Sequence, residues 1–148
     1  MKSAVPLILC FSALSVAAYD FGKPDIDAIP VSLVQLLSRP EAFVGRKVRV
    51  MGVLSWHPDD GALLFLSREH YNAADIASSI DLPIKDELLP APGKDVEKVN
   101  GSIVSVEGVV VIWGSVNKRV AIRPVTRILE CVRASTHRAD TPPKTPPN

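Results

Sequence analysis

The 148-residue sequence contains only two cysteines, Cys10 and Cys131, which excludes a fold stabilised by several disulfide bonds. Cys10 lies in an apolar N-terminal segment with the features of a secretory signal, so removal of that segment would leave Cys131 alone. The packing of a hydrophobic core must then stabilise the protein. Cys131 is predicted either to be buried as a small hydrophobic residue or to be an exposed thiol that pairs between chains.

The sequence also lacks an apolar run long enough to span a membrane comfortably. Its most apolar segment, residues 4–16, follows the positive charge of Lys2 and is followed by two alanines before Tyr19. This pattern predicts a signal peptide over residues 1–18 and an exported protein, periplasmic or secreted, with no membrane span after signal removal. A lipid anchor on Cys10 is the competing interpretation, but leucine precedes this cysteine where lipidation requires a small residue.

Neither sign of charge is in excess, since 17 basic residues face 16 acidic ones. Loss of residues 1–18 removes Lys2 and no acidic residue, so the mature chain would carry 16 of each. Nucleic-acid binding draws much of its affinity from a surplus of lysine and arginine, so the balance disfavours nucleic acid as a partner. Two groups of basic residues could still join into one patch if the first and last strands lie close. They are Arg46, Lys47 and Arg49, and Lys118, Arg119, Arg123 and Arg127.

A strand pattern that occurs twice is the clearest signal in the sequence. Residues 45–56 and residues 102–112 alternate apolar and polar side chains, and each stretch has a glycine near its middle, Gly52 and Gly108. The residues around the two glycines correspond position by position. A strand bends easily where a side chain is missing, which is how a small sheet curls into a barrel. We therefore predict that both strands bend at their glycines.

One helix and three further strands complete the predicted domain. Ser32 and Gln35 form a capping-box pattern for a helix that begins at Leu33, and Pro40 ends this helix. The last strand contains Pro124, which predicts a position at the sheet edge. The three strands are predicted at residues 62–66, 79–82 and 120–125.

Five strands, with helical or loop material between the third and the fourth, are typical of the OB-fold. We therefore predict an all-β fold, a five-stranded OB-fold-like β-barrel with one N-terminal helix, over residues 31–132. Residues 19–30 are predicted to be a linker, because they contain prolines and aspartates without periodicity. Residues 133–148 are predicted to be a disordered proline-rich tail.

Residues 31–52, 64–69, 80–82 and 100–108 resemble a group of small uncharacterised exported bacterial proteins with an OB-like barrel. The resemblance covers about residues 31–129 and consists of glycine bends and alternating valines. It implies an exported bacterial protein whose barrel is related in architecture to anticodon-binding OB modules, and it implies no particular activity.

Histidine and acidic residues cluster around the first hairpin, where His57, Asp59 and Asp60 precede strand two and Glu69 and His70 follow it. Imidazole and carboxylate groups could bind a divalent metal or act as an acid and base pair. Turn geometry explains such residues equally well, and no nucleophile or cofactor loop accompanies them. We therefore predict no metal site, no cofactor and no enzymatic activity.

Aromatic residues make up 5% of the chain, so few rings are available to stack on a ligand. Trp56 and Phe65 continue apolar strand faces and are predicted to lie in the core. Tyr71, in a polar helix, and Trp113, at a strand end, are the better candidates for exposed rings. The candidate ligand-binding residues are Arg49, Tyr71, Trp113 and Arg123.

These features predict a non-catalytic exported binding module whose partner is a peptide, a glycan or a protein of the cell envelope. The alternative is a single-stranded nucleic-acid-binding OB domain, because OB barrels commonly bind ligands on the face of strands two and three. Exposed aromatic side chains on that face would therefore say most about the ligand.

Overall fold

The computed structural model describes residues 19–58, 61–84, 96–114 and 117–131. These residues form seven β-strands, two short α-helices and three 3-10 segments. The strands and α-helices are β1 (Asp20–Gly22), β2 (Ile29–Pro30), α1 (Leu33–Ser38), β3 (Lys47–His57), β4 (Gly61–Phe65), α2 (Arg68–Asn72), β5 (Ser79–Leu82), β6 (Ile103–Trp113) and β7 (Arg119–Glu130). The 3-10 segments are Pro40–Ala42, Ile76–Ser78 and Val96–Val99. The predicted signal peptide and proline-rich tail lie outside the described residues.

Five of the strands close into a barrel. β3, β4 and β5 form an antiparallel meander, and β5 then pairs in parallel with β7. β7 pairs antiparallel with β6, and β6 returns antiparallel to β3, which closes the barrel. The predicted all-β fold with a five-stranded OB-like barrel is confirmed.

The alternating side chains of β3 and β6 fill this barrel. Their inward-facing residues are fully buried, whereas lysine and arginine alternate with them on the outer face of β3. Helix α1 packs onto the same core through Leu33 and Leu36. The buried side chains of the two strands are Val48, Val50, Leu54, Val104, Val106 and Val110.

The capping box of α1 forms as predicted, with the helix beginning at Leu33. The N–H of Gln35 donates to Ser32 Oγ at 3.2 Å, and the N–H of Ser32 donates to Gln35 Oε1 at 3.1 Å. Both bonds satisfy donors that the first helical turn would otherwise leave unpaired.

Gly52 and Gly108 lie where the sheet changes partner or register. Residues 47–53 of β3 pair with β6, and residues 53–57 pair with β4, so Gly52 immediately precedes the change. Gly108 lies between two register shifts in the ladder of β6 and β7. These are the positions at which a closed sheet has to curl.

Pro124 does not lie at a sheet edge, so that prediction is wrong. β7 has β6 on one side and β5 and β1 on the other. The register with β6 passes from Ile122 directly to Val125, which leaves Arg123 and Pro124 without a partner in β6. Proline is tolerated in this central strand because the bulge demands no ladder N–H from it.

Both ends of residues 19–30 join the sheet, at residues 20–22 and 29–30, which corrects the predicted linker. β1 pairs antiparallel with β7, and β2 pairs in parallel with β3. The carboxylate of Asp20 accepts two hydrogen bonds from Arg127, both at 2.7 Å, and these bonds lower the pKa of Asp20 below its ordinary value of 3.8. A lowered carboxyl pKa means that this contact stabilises the fold above about pH 4 and is lost as the pH falls further.

Cys131 is neither the fully buried residue nor the exposed thiol that the sequence left as alternatives. The residue directly follows β7 and is half-buried. Burial raises the pKa of its thiol, which lowers the fraction of reactive thiolate near neutral pH.

Candidate functional site

The structure brings together two of the four predicted ligand-binding residues. Trp113, at the end of β6, and Arg123, in β7, line one cavity of 250 Å³. We call this cavity the Trp113 cleft, and its other lining residues are Pro83, Val111, Ile112 and Ala121.

Strand register explains how the cleft forms. β7 lies between β5 and β6, and Val111 is paired with Ala121 while Trp113 is paired with Arg119. Because side chains alternate along a strand, Ala121 and Arg123 share the outer face with Val111 and Trp113. The small side chain of Ala121 leaves a depression that the larger neighbours surround.

Hydrogen bonds fix the indole ring of Trp113 at the rim of the cleft. Its Nε1–H donates to Asp81 Oδ2 at 2.7 Å. Arg119 holds the same carboxylate, with Nη2 at 2.7 Å and Nε at 2.9 Å from Oδ1. Trp113 nevertheless remains 52% exposed, so it presents an aromatic surface whose orientation is set before any ligand binds.

The carboxylate of Asp81 is itself enclosed, since its side chain is 12% exposed. Arg119 anchors it further by donating to Ser79 Oγ at 3.2 Å and to the Ile76 carbonyl oxygen at 3.3 Å. The indole, the carboxylate and the guanidinium therefore satisfy one another. A charged pair with this geometry is stronger than a neutral hydrogen bond, so the arrangement is rigid.

Arg123 differs from Arg119 because it is exposed and its guanidinium group forms no ion pair or hydrogen bond with any residue that the structure describes. Its charge therefore remains available beside the fixed indole ring.

Arg49 and Tyr71 lie outside this cleft. Arg49 Nε donates to Glu107 Oε1 at 2.7 Å, and Glu107 precedes Trp113 by six residues in β6, or roughly 20 Å along an extended strand. Tyr71 is half-buried and packs edge-on against Phe65 with ring centroids 5.8 Å apart. A side chain at Gly101 would lie 3.4 Å from the Tyr71 hydroxyl, which places Tyr71 near the opposite end of β6 from Trp113.

The two groups of basic residues meet at Glu107 of β6, whose Oε1 lies 2.7 Å from Arg49 on β3 and 3.7 Å from Arg127 on β7. They form no free basic patch there, because carboxylates pair with four of the side chains. The ion pairs are Lys47–Asp25 at 3.0 Å, Arg49–Glu107 at 2.7 Å, Arg119–Asp81 at 2.7 Å and Arg127–Asp20 at 2.7 Å.

β4 and β5, the strands on which OB barrels commonly bind ligands, contribute no exposed aromatic ring of their own. Phe65 is the aromatic residue of these two strands, and it is 3% exposed beneath Tyr71. The exposed ring that lies against this face is Trp113 of β6, which is bonded to Asp81 of β5.

The histidines of the metal hypothesis lie in ordinary secondary structure, His57 as the last residue of β3 and His70 in the first turn of α2. Within the described residues, no group of three or more histidine, cysteine or acidic side chains could hold a metal ion, and Asp59 and Asp60 lie outside those residues. Glu69 accepts a hydrogen bond from Ser67 Oγ at 2.6 Å, which lowers the pKa of Glu69. His70 donates its backbone N–H to the same Ser67 oxygen at 3.4 Å, which caps α2.

A second, larger cavity of 460 Å³ lies between α1 and the outer face of β3. We call it the Met51 groove, and its lining includes Pro30, Val34, Arg49, Met51 and Leu66. Val34 is 54% exposed and Met51 is 56% exposed. No local pattern in the sequence reveals this groove, because its walls come from α1, β3 and β6, which only the folded sheet brings together.

No family model matches the chain, and comparison with curated proteins and with solved structures finds no significant similarity. The resemblance to exported OB-like bacterial proteins therefore stays a prediction. The helices in the described part of the chain are all too short to cross a membrane.

Proposed function

We propose that the protein is an exported, non-catalytic binding module and that the Trp113 cleft is its ligand site. The observation that carries this proposal is an exposed aromatic ring, fixed by hydrogen bonds, beside an arginine without a partner among the described residues. Tryptophan and arginine are the residue types that most often dominate binding energy. A ring that is already ordered also costs little conformational entropy when a ligand binds.

The polar groups around the cleft favour binding over catalysis. A general base needs an oxygen that is free to accept a proton from a substrate. Both oxygens of Asp81 already accept hydrogen bonds, from Trp113 and from Arg119. The carboxylate beside the ring is therefore a structural group that positions the indole.

Nucleic acid is the weaker candidate for the ligand. Lys47, Arg49, Arg119 and Arg127 are all engaged by carboxylates, and counterion release requires cations that can reach phosphates. Among the described residues, the exposed rings Trp113 and Tyr19 lie beside opposite ends of β7. They therefore provide less stacking surface than the successive platforms of single-strand-binding OB domains.

Export is proposed from the signal-like residues 1–18 and has its own test. When the chain is expressed in a bacterium, we expect intact-mass spectrometry of the mature protein to show an N-terminus at Tyr19, because small residues precede that position. A mature N-terminus at a lipid-modified Cys10 would contradict the proposal of an unanchored exported protein.

Alanine substitution at Trp113 tests the ligand site. With fluorescently labelled protein on immobilised peptides and oligosaccharides, we expect Trp113→Ala to weaken binding of every probe that the wild-type protein holds by about tenfold or more, as for a hot-spot aromatic residue. The folded structure should survive, since Trp113 is 52% exposed. Thermal unfolding of both proteins checks this.

Met51→Ala is the matched control, because Met51 is 56% exposed and lines the other cavity. We expect this variant to bind as the wild-type protein does. Loss of binding in Met51→Ala with full binding in Trp113→Ala would transfer the ligand site to the Met51 groove. Equal binding by all three proteins would exclude both cavities as the site.

A further inference from the structure

The polar groups of the Trp113 cleft also indicate a class of ligand. We infer that the cleft binds the carboxyl-terminal end of a peptide with an apolar last residue. The terminal carboxylate pairs with Arg123, and the apolar side chain lies against Trp113. This inference rests on the proposed function, because it requires the Trp113 cleft to be the ligand site.

Hydrogen-bonding capacity argues against a neutral sugar. A pyranose ring brings several hydroxyl groups, and each one that is desolvated without a partner costs free energy. The Nε1–H of Trp113 and both oxygens of Asp81 are already bonded within the protein. The fixed polar groups therefore leave little for sugar hydroxyls, whereas an apolar side chain asks for no such partners.

Charge argues for an anion. The bidentate contact with Arg119 neutralises Asp81, so the cleft retains the charge of Arg123, which no described carboxylate pairs. A guanidinium group matches the geometry of a carboxylate and binds it through two parallel hydrogen bonds. A peptide terminus supplies that carboxylate next to a side chain.

The size of the cleft argues for a chain end over an enclosed small molecule. Its volume is 250 Å³, below the range of about 300–1,000 Å³ that is usual for small-molecule sites. The cleft can therefore accommodate one or two residues, and the remainder of the ligand has to extend outside. The apolar floor formed by Pro83, Val111 and Ala121 suits the last side chain.

Calorimetric titration of the purified full chain tests the inference. The probes are four acetylated tetrapeptides that end in phenylalanine, tryptophan, leucine or proline, each prepared as a free acid and as an amide. We expect at least one free acid to bind. The affinity of its amide should be lower by a factor of about ten or more, because an amide cannot form the charged pair with Arg123. 3-Phenylpropionate, a carboxylate without a peptide chain, is expected to bind more weakly than the best peptide acid.

Two variants locate the carboxylate. Arg123→Gln is expected to reduce the affinity of the free acid to that of the amide. Lys118→Gln removes an exposed charge just before β7, outside the cleft lining, and should preserve the tenfold preference for the acid. Equal loss in both variants would indicate long-range charge attraction and would overturn the proposed contact.

The remaining outcomes separate this inference from the proposed function. Equal binding of acids and amides that depends on Trp113 would overturn the role of the carboxylate and leave the binding module intact. If oligosaccharides bound in a Trp113-dependent manner and none of the peptides bound, the peptide ligand would likewise be overturned and the binding module would remain. Equal affinity for 3-phenylpropionate and the peptide acids would show that the site binds small carboxylates and would overturn the inference of a peptide terminus. If no probe bound in a Trp113-dependent manner, both proposals would fail.

Discussion

Replacing Gly108 by valine is expected to lower the free energy of unfolding by about 3 kcal/mol or more, at the upper end of what overpacking costs. A side chain at this position would overlap the carbonyl oxygen of Pro124 and Cγ2 of Ile122, and its Cβ would lie 3.1 Å from Val125 Cα. Two of these three obstacles are backbone atoms of β7, so they cannot move by a change of rotamer. Chemical denaturation, with the midpoint and slope both fitted, measures the loss.

Gly52→Val should act in the same direction, because a Cβ there would lie 2.6 Å from the Phe65 carbonyl oxygen and 2.7 Å from Leu64 Cγ. Ser55→Val is the matched control, since Ser55 lies in the same strand, is half-buried and has a hydroxyl group that forms no hydrogen bond with a described residue. Its free energy of unfolding should change by about 0.5 kcal/mol or less. Unchanged denaturation midpoints in both glycine variants would show that no close strand approach exists at these positions.

The barrel could be predicted from the sequence because its signals are local. The alternation around Gly52 and Gly108 and the capping box of Ser32 each involve residues a few positions apart. The pairing of residues 19–30 with the sheet could not be predicted in this way. Asp20 and Arg127 are 107 positions apart, and an aspartate in an aperiodic segment does not reveal which distant cation it will meet.

The error at Pro124 has a related cause. Proline has no N–H to donate to a neighbouring strand. It is therefore usually found at a sheet edge, where the outward-facing position needs no donor. A bulge in a central strand also removes the need, but that bulge depends on the register of β7 against Gly108 in the opposite strand. Register between strands is a property of the assembled sheet.

The candidate site was predicted in part. The sequence identifies Trp113 and Arg123 singly, one as a ring at a strand end and the other as one of a group of basic residues, yet their shared cleft depends on the register of β6 with β7. Asp81 and Arg119 were not identified as groups that position the indole. A signal for Asp81 did exist, because a charged residue within the apolar β5 needs a partner when buried. The identity of that partner, 38 positions away, follows only from the closed barrel.

Glu107→Ala is expected to lower the free energy of unfolding by about 2–3 kcal/mol and to loosen residues 19–30 before the barrel itself. The side chain of Glu107 is 3% exposed, its Oε1 accepts from Arg49 Nε at 2.7 Å, and its Oε2 accepts the backbone N–H of Asp25 at 2.7 Å. Arg127 lies 3.7 Å from the same Oε1. Truncation would leave two guanidinium groups and one N–H without this acceptor. Because Arg49 is 41% exposed and can be hydrated, the expected cost stays below that of a fully buried pair.

Hydrogen exchange followed by mass spectrometry tells whether Glu107 ties the N-terminal strands to the barrel. In Glu107→Ala, exchange should rise in residues 20–30 while β3 and β6 remain protected, since their ladder does not depend on this carboxylate. Glu107→Gln is the matched control: it keeps an acceptor for the Asp25 N–H and loses the charge, so its destabilisation should be about half as large. Unchanged exchange in residues 20–30 would show that Glu107 does not hold the N-terminal strands against the barrel. β1 and β2 pair with the barrel through five residues in all, and the segment that they belong to contains three aspartates. Backbone pairing over so few residues is too weak to hold this segment, so a side-chain contact such as that of Glu107 is needed.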